Sequence, residues 1–461
     1  MLSCFIDQAE RSTPIVSLIP KQWDSWLAKQ TQANKQWLSA LNFDVKPGST
    51  ALLPGSDGQI KQVLIILNDE ADFWSLGSLP SVLPQGYYHY TNSQNKNLLH
   101  RAAMAWGLGA YEFTRYKASA RPFAQLVLPV EANLDFLNAK LTAIYHVRDL
   151  INLPTEALGP AELAKVVFQA GKKFHASVTE IVGDELLSAN YPAIHAVGRA
   201  SSRAPRLIDL TWGDIKSPKI TLVGKGVCFD SGGLNLKSGS GMLLMKKDMG
   251  GAANAIGLAE MIMALNLPVR LRLLIPAAEN LIAGNAYKPG DIIKMRNGLS
   301  VEVGNTDAEG RLILADALSE ADSENPELLI DFATLTGAAR VAVGTEISAF
   351  FTVQETLAKD LLKYSEEEQD PMWRLPLYKP YQKLLESKFA DMSNSSTSSY
   401  AGAITAALFL RAFVKESTTW IHFDFNAYNV SARPGRPEGG EAMAILTLLR
   451  YLLKKYPPTS K

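Results

Sequence analysis

Ile220-Thr221-Leu222-Val223-Gly224-Lys225-Gly226-Val227-Cys228-Phe229-Asp230-Ser231-Gly232-Gly233 opens as an apolar run of strand length and ends in a polar, glycine-rich loop with one lysine and one aspartate. A buried strand that feeds such a loop is a half-unit of an α/β sheet, whose sites lie at strand ends. Outward from it, strand-like runs at Arg206 to Thr211, Val269 to Ile275, Val301 to Val303 and Leu328 to Phe332 are separated by long helical patterns. The alternation predicts an α/β domain with a mixed sheet covered by helices on both faces.

Upstream, Gly159-Pro160 starts a helix with Leu163, Val166, Val167, Ala170 and Phe174 on one face. A preceding helical pattern from Asn133 to Ile151 ends at Asn152-Leu153-Pro154, where proline disfavours helix. Before it, Val63 to Leu67 reads as a strand and Leu98 to Tyr116 as a helix, so a small N-terminal α/β domain is expected. The division is therefore 1–132, a linking helix and connection over 133–158, and a larger C-terminal domain over 159–461. Downstream, Ser393-Asn394-Ser395-Ser396-Thr397-Ser398-Ser399 reads as a mobile loop.

The chain has 461 residues, 47% apolar and 20% charged, which suits two globular domains and excludes a disordered or fibrous chain. Lysine plus arginine and aspartate plus glutamate both number 46, so no net field draws a polyanion and nucleic-acid binding is not expected. Two cysteines, Cys4 and Cys228, cannot make a disulfide framework. The start, Met1 to Asp7, lacks a secretory pattern, and the best apolar run, Ala401 to Leu410, is about half of the roughly 20 residues needed to span a bilayer. The expectation is a cytoplasmic protein with no membrane segment.

Three segments carry chemistry. Position 219 is lysine where a P-loop needs glycine, and Gly226 stands where it needs serine or threonine, so the loop around Lys225 is not a nucleotide cradle. Lys237 to Ala253 holds Asp248 at a helix start, where alone it reads as an N-cap. Asn305-Thr306-Asp307-Ala308-Glu309-Gly310-Arg311 lies between a strand and a helix, and Asp307 and Glu309, two apart, can point to one side. Each has a bland reading as a cap, a first-turn acid or a surface arginine. Together, four carboxylates buried at strand ends need cations, and divalent ions are the natural ones: manganese, magnesium or zinc. No H-E-x-x-H pair occurs among His89, His100, His146, His175, His195 and His422, and no G-x-S-x-G elbow occurs either.

In these motifs the sequence resembles the leucine aminopeptidase (cytosol aminopeptidase) family of two-metal exopeptidases. Asn305 to Leu312 matches the family signature at every position. Lys225 with Phe229 to Gly233, Leu236-Lys237 and Asp248 to Ala253 match its other site motifs in order and spacing. The resemblance covers roughly residues 150 to 455. It implies that Asp230 and Glu309 bridge two divalent metals, manganese or zinc with magnesium as another option. Asp307 would complete one site, and Lys225, as a neutral amine, with Asp248 the other. It further implies that Lys237 stabilises the oxyanion and that Arg311 holds a bicarbonate acting as general base. Met245, Asn305, Thr334 and Gly337 would bind substrate, with an apolar wall for leucine or methionine. Phe423 to Tyr428 departs from the common pattern there, so side-chain preference could differ from leucine. The implied substrates are peptides with a free N-terminus, and the implied assembly is a homohexamer. A two-metal phosphoesterase and a non-catalytic binding protein are the rival readings, the first opposed by the octapeptide and the second by the neutral charge.

Overall fold

The computed structural model describes residues 2–69, 72–91, 96–119, 122–128 and 133–458. The chain divides into two units, Met1–Tyr145 with Ser431–Glu438, and His146–Val430 with Gly439–Lys461. Residue 132, the expected end of the first domain, lies outside the described residues.

Among the described residues the first unit is built on a six-stranded sheet in the order Phe5–Ile6, Gln125–Val127, Tyr87–Tyr90, Thr13–Leu18, Ile60–Ile66, Thr50–Pro54. All neighbours are parallel except the last pair. Val63 to Ile66 are fully buried, as a parallel strand covered on both faces should be.

The second unit is built, among the described residues, on a nine-stranded sheet. Eight run in the order Met372–Arg374, Ser348–Phe351, Trp420–Asp424, Leu328–Ala333, Lys219–Gly224, Arg270–Asn280, Arg206–Trp212, Ser177–Val182, and Gly226–Asp230 also pairs with Arg270–Asn280. The centre is parallel, while Ser348–Phe351 against Trp420–Asp424 and the two pairs at the Ser177–Val182 edge are antiparallel, so the sheet is mixed as expected. Helix Gly250–Ala264 packs on one face with Pro160–Phe174 and Ile445–Lys455. On the other face, helix Glu309–Ser323 packs with Pro192–Gly198 and Gly402–Arg411. Gly250–Ala264 is buried almost throughout, not amphipathic, and its approach to the sheet needs glycine: a Cβ on Gly224 would stand 2.6 Å from Ala252 Cα.

Two expectations are corrected here. The stretch after Lys225 is not a loop but strand Gly226–Asp230, parallel to Arg270–Asn280 with a bulge at Cys228; its glycine content conceals it. The run at Val301 is a strand, Ser300–Glu302, but it belongs to a separate three-stranded sheet with Ile292–Lys294 and Met392–Ser393. Among the described residues no helix is long and apolar enough to cross a membrane.

Candidate metal centre

At the end of strand Lys219–Gly224 the chain keeps Arg270–Asn280 as its neighbour and leaves Leu328–Ala333. The Lys225 N–H makes the last bond to that strand, donating to Phe332 O at 2.9 Å, and Gly226 pairs with Ala277. The Lys225 side chain is buried, and Nζ lies 2.8 Å from Asp248 Oδ2, 3.0 Å from Glu309 Oε1 and 3.1 Å from Thr334 O. Its partners are Asp248 and Glu309, not Asp230. Asp248 caps no helix: it sits in the 3-10 turn Met245–Met249, and its Oδ1 accepts from Thr334 Oγ1 at 2.8 Å.

Asp230 ends its strand and is held from behind, Oδ1 accepting from Gly232 N–H and from Asn280 Nδ2, each at 2.8 Å. Gly232 and Gly233 follow at φ +88° and +63°, a turn that only glycine makes without strain. The free Oδ2 faces Lys237 Nζ at 2.8 Å, and the same ammonium contacts Asp307 Oδ1. Thr306 locks the two loops together, its Oγ1 donating to Gly232 O at 2.7 Å. Asn305 turns its side-chain oxygen onto the Asp307 N–H at 2.8 Å. Glu309 opens helix Glu309–Ser323, where an acid suits the helix dipole.

The serine-rich stretch expected to be a mobile loop is in part a buried organiser. Asn394 is 0% exposed. Its Oδ1 accepts from the N–H groups of Gly304 and Asn305 at 2.8 and 3.2 Å, its Nδ2 donates to Asn305 O at 2.8 Å, and its carbonyl accepts from Arg311 Nη1 at 2.8 Å. Arg311 Nε is left without a partner, and burial pulls the guanidinium down to about 10.

The electrostatics show what is missing. Burial, with Asp230 as the strongest like charge, pushes Glu309 up, and burial with Asp248 pushes Asp230 up. For Lys225 and Lys237, burial opposes the charge, but the facing carboxylates outweigh it and hold both protons firmly. Lys225 is therefore an ammonium here, and a neutral-amine ligand requires a dication to displace that proton. Two lysines answer four carboxylates. Asp248 Oδ2 and Asp307 Oδ1, though beside lysines, receive no aligned hydrogen bond. Asp230, Asp307 and Glu309 bring one carboxylate oxygen each within 4.8 Å of one another. An all-oxygen, electron-rich cluster with orphaned acceptors fits hard divalent cations.

These groups line one cavity of about 440 Å³ in the second unit, and all eleven sequence-chosen residues border it: Lys225, Asp230, Lys237, Met245, Asp248, Asn305, Asp307, Glu309, Arg311, Thr334 and Gly337. No histidine borders it. His422 is instead a core residue bonded to Asp331 at 2.6 Å. Cys228 is a buried small side chain. The reading from sequence missed Asn394, Lys247 and Arg340. Lys247 and Arg340 also border the cavity, and burial pulls the Lys247 ammonium down to about 7 against the pull of Asp248. A larger cavity, about 530 Å³, lies in the first unit beside Tyr111, Arg433 and Arg436, away from any three-carboxylate group among the described residues.

The catalytic-domain model of the cytosol aminopeptidase family matches residues 145–449, and that of the M17 aminopeptidase N-terminal domain matches 13–129. Peptidase B of Enterobacter sp. (strain 638) is 44% identical over 334 residues, 70% of this chain and 78% of that protein. The crystal structure of the cytosol aminopeptidase from Coxiella burnetii superposes with a TM-score of 0.96 at 48% identity, covering 99% of this chain and 100% of the other. The bottromycin maturation enzyme BotP in complex with Mn gives 0.86 at 29% identity, covering 96% and 99%. Matched along both its units, the chain belongs to the cytosol aminopeptidase family and is a metal-dependent aminopeptidase, a hydrolase of peptides.

Proposed function

We propose that the enzyme releases unblocked N-terminal residues, leucine and other apolar residues among them, with two divalent ions, manganese or zinc and magnesium as a further option. The observation that carries this reading is the carboxylate excess: among the described residues, Asp230, Asp248, Asp307 and Glu309 face only Lys225 and Lys237 within ion-pairing distance. Asp230 and Glu309 would bridge the ions, Asp307 would complete one site, and Lys225 with Asp248 the other. Ions bound there supply Lewis-acid polarisation of the scissile carbonyl and a water nucleophilic at neutral pH.

The chain's own groups do the rest. Lys237, less buried than Lys225, is free to turn from its carboxylates to the substrate carbonyl oxygen and hold the charge that develops on it. Arg311 borders the cavity with an unpaired Nε–H and would hold bicarbonate, which supplies a base where no histidine stands. Met245, Thr334 and Gly337 would receive the first side chain, with Asn305 shaping the wall beside Asp307. A homohexameric, cytoplasmic enzyme is part of the proposal, and the buried thiols of Cys4 and Cys228 support a reducing setting.

The test is release of leucine from a leucyl chromogenic amide, with manganese or zinc, after chelation, and with an N-acetylated control. Metal-restored cleavage of the free-amine substrate alone is expected. Equal cleavage of the acetylated substrate would remove the amine requirement and with it the exopeptidase reading.

A further inference from the structure

The larger cavity of the first unit, about 530 Å³, has no part in the chemistry above. Its volume falls within the roughly 300–1,000 Å³ of small-molecule sites. One wall is the strap Ser431–Glu438, the stretch of the C-terminal half that belongs to this unit. The strap turns back at Pro434-Gly435: Arg433 and Arg436 exchange both backbone hydrogen bonds, at 2.8 and 2.9 Å, and Gly435 takes φ +68°. Glycines seat it closely. A Cβ on Gly77 would stand 2.6 Å from Gly435 N, and a Cβ on Gly109 would overlap Gly77 O. Protein interiors leave few voids larger than a water, so a large one beside so close a fit is a feature of the wall and not loose packing.

The groups around this void sort by role. Arg433 and Arg436, which flank the turn, both border it, against one carboxylate among the described residues, the exposed Glu112. The Arg436 guanidinium lies 4.0 Å over the Trp74 ring, and a guanidinium stacked by its face donates along its edge. Two guanidiniums on one wall suit the several oxygens of a phosphate. Ser78 and Ser81 also border the void, and their hydroxyls donate to Ser75 O and Ser78 O at 2.9 and 3.0 Å, so they meet a ligand as acceptors. Acceptors of that kind pair with the hydroxyls of a sugar. Tyr111 and Phe123 add aromatic walls that receive a flat ring. We infer that this cavity binds a phosphomonoester built on a sugar and a flat ring, the chemistry of a nucleoside monophosphate, with Arg433 and Arg436 on the phosphate. The site is separate from the metal centre, and an inorganic phosphate alone would leave most of the space and both serine oxygens unused.

The test is equilibrium dialysis of the full chain at physiological salt with labelled AMP and UMP, against adenosine and inorganic phosphate, with manganese and after chelation. The expected result is saturable binding of one nucleotide per chain in both conditions, at least about tenfold tighter than adenosine or inorganic phosphate, and weakened about tenfold by Arg433→Met and by Arg436→Met separately. Cleavage of a leucyl amide by both variants should stay near that of the parent, which shows that they fold. Should Arg436→Met lose its footing on Trp74 and fold poorly, Arg433→Met carries the comparison. A rise in the melting temperature of the chelated parent with AMP, absent with adenosine, reports the same binding without any variant. Binding that requires manganese and ignores both substitutions belongs to the metal centre and overturns the inference. So does adenosine binding as tightly as AMP, which removes the role of the arginines, or inorganic phosphate binding as tightly, which removes the organic body. Failure of both nucleotides to saturate the chain at millimolar concentration overturns it as well.

Discussion

Gly310 vacates the space that Lys225 fills: a Cβ there would stand 2.8 Å from both Cδ and Nζ of the lysine. Alanine is the better helix former by up to about 1 kcal/mol, so Gly310→Ala should leave the fold intact while pushing Lys225 off Asp248 and Glu309. We expect metal affinity to fall roughly 10- to 100-fold, read by equilibrium dialysis of manganese, with an unchanged or higher melting temperature. Unaltered affinity would mean that Lys225 tolerates displacement and is no ligand.

Lys237 meets the carboxylates from the cavity side, less buried than Lys225. Lys237→Met should lower kcat by roughly 10²- to 10³-fold, the usual cost of a lost oxyanion donor. Its manganese binding should persist, since two carboxylates lose a competitor. A Lys237→Met enzyme with near-normal kcat would move the oxyanion elsewhere.

Asn394→Ala removes the partners of Gly304 N–H, Asn305 N–H and Asn305 O at once. At about 1 kcal/mol or more for each orphaned group, the cost should be about 3 kcal/mol in denaturant unfolding. Activity should drop more than tenfold, because the loop carrying Asp307 loses its brace. A neutral substitution would show that water replaces all three bonds.

His146 Nδ1 lies 3.0 Å from Glu260 Oε2. Burial opposes its charge, but the hydrogen bond and charge of Glu260, helped by Asp149 and opposed by Lys173, raise its pKa above 6.5. The sign follows from linkage: a raised folded value gives stability that is complete below about 6.5 and is lost as pH climbs through the folded value. His146→Gln should therefore cost up to about 1 kcal/mol at pH 5.5, after discounting for solvent, and much less at pH 8.5. Unfolding curves at the two pH values check it; equal losses at both would exclude the ion pair as the cause.

Much of this centre is legible in the sequence, because Asp307, Glu309 and Arg311 crowd into five residues and Asp230 follows Lys225 closely. What escaped was long-range. Asn394 reaches Asn305 across 89 residues, and serines around it imitate a solvated loop. Lys247 beside Asp248 carries no sequence pattern that marks it, and only burial distinguishes it. Ser300–Glu302 was recognisable as a strand, yet periodicity reports that a segment is extended and not which sheet receives it.

The brace from Asn394 also sets a timetable. Synthesis delivers Lys225, Asp230 and Asp248 first, then Glu309 and Arg311, and only 83 residues after Arg311 the side chain that holds their loop in place. At about 5–20 residues per second, the ribosome needs seconds to cover that interval. During those seconds the nascent chain exposes most of its carboxylates without the frame that would select among cations. Discriminating metal uptake is thus a late act of a nearly finished polypeptide.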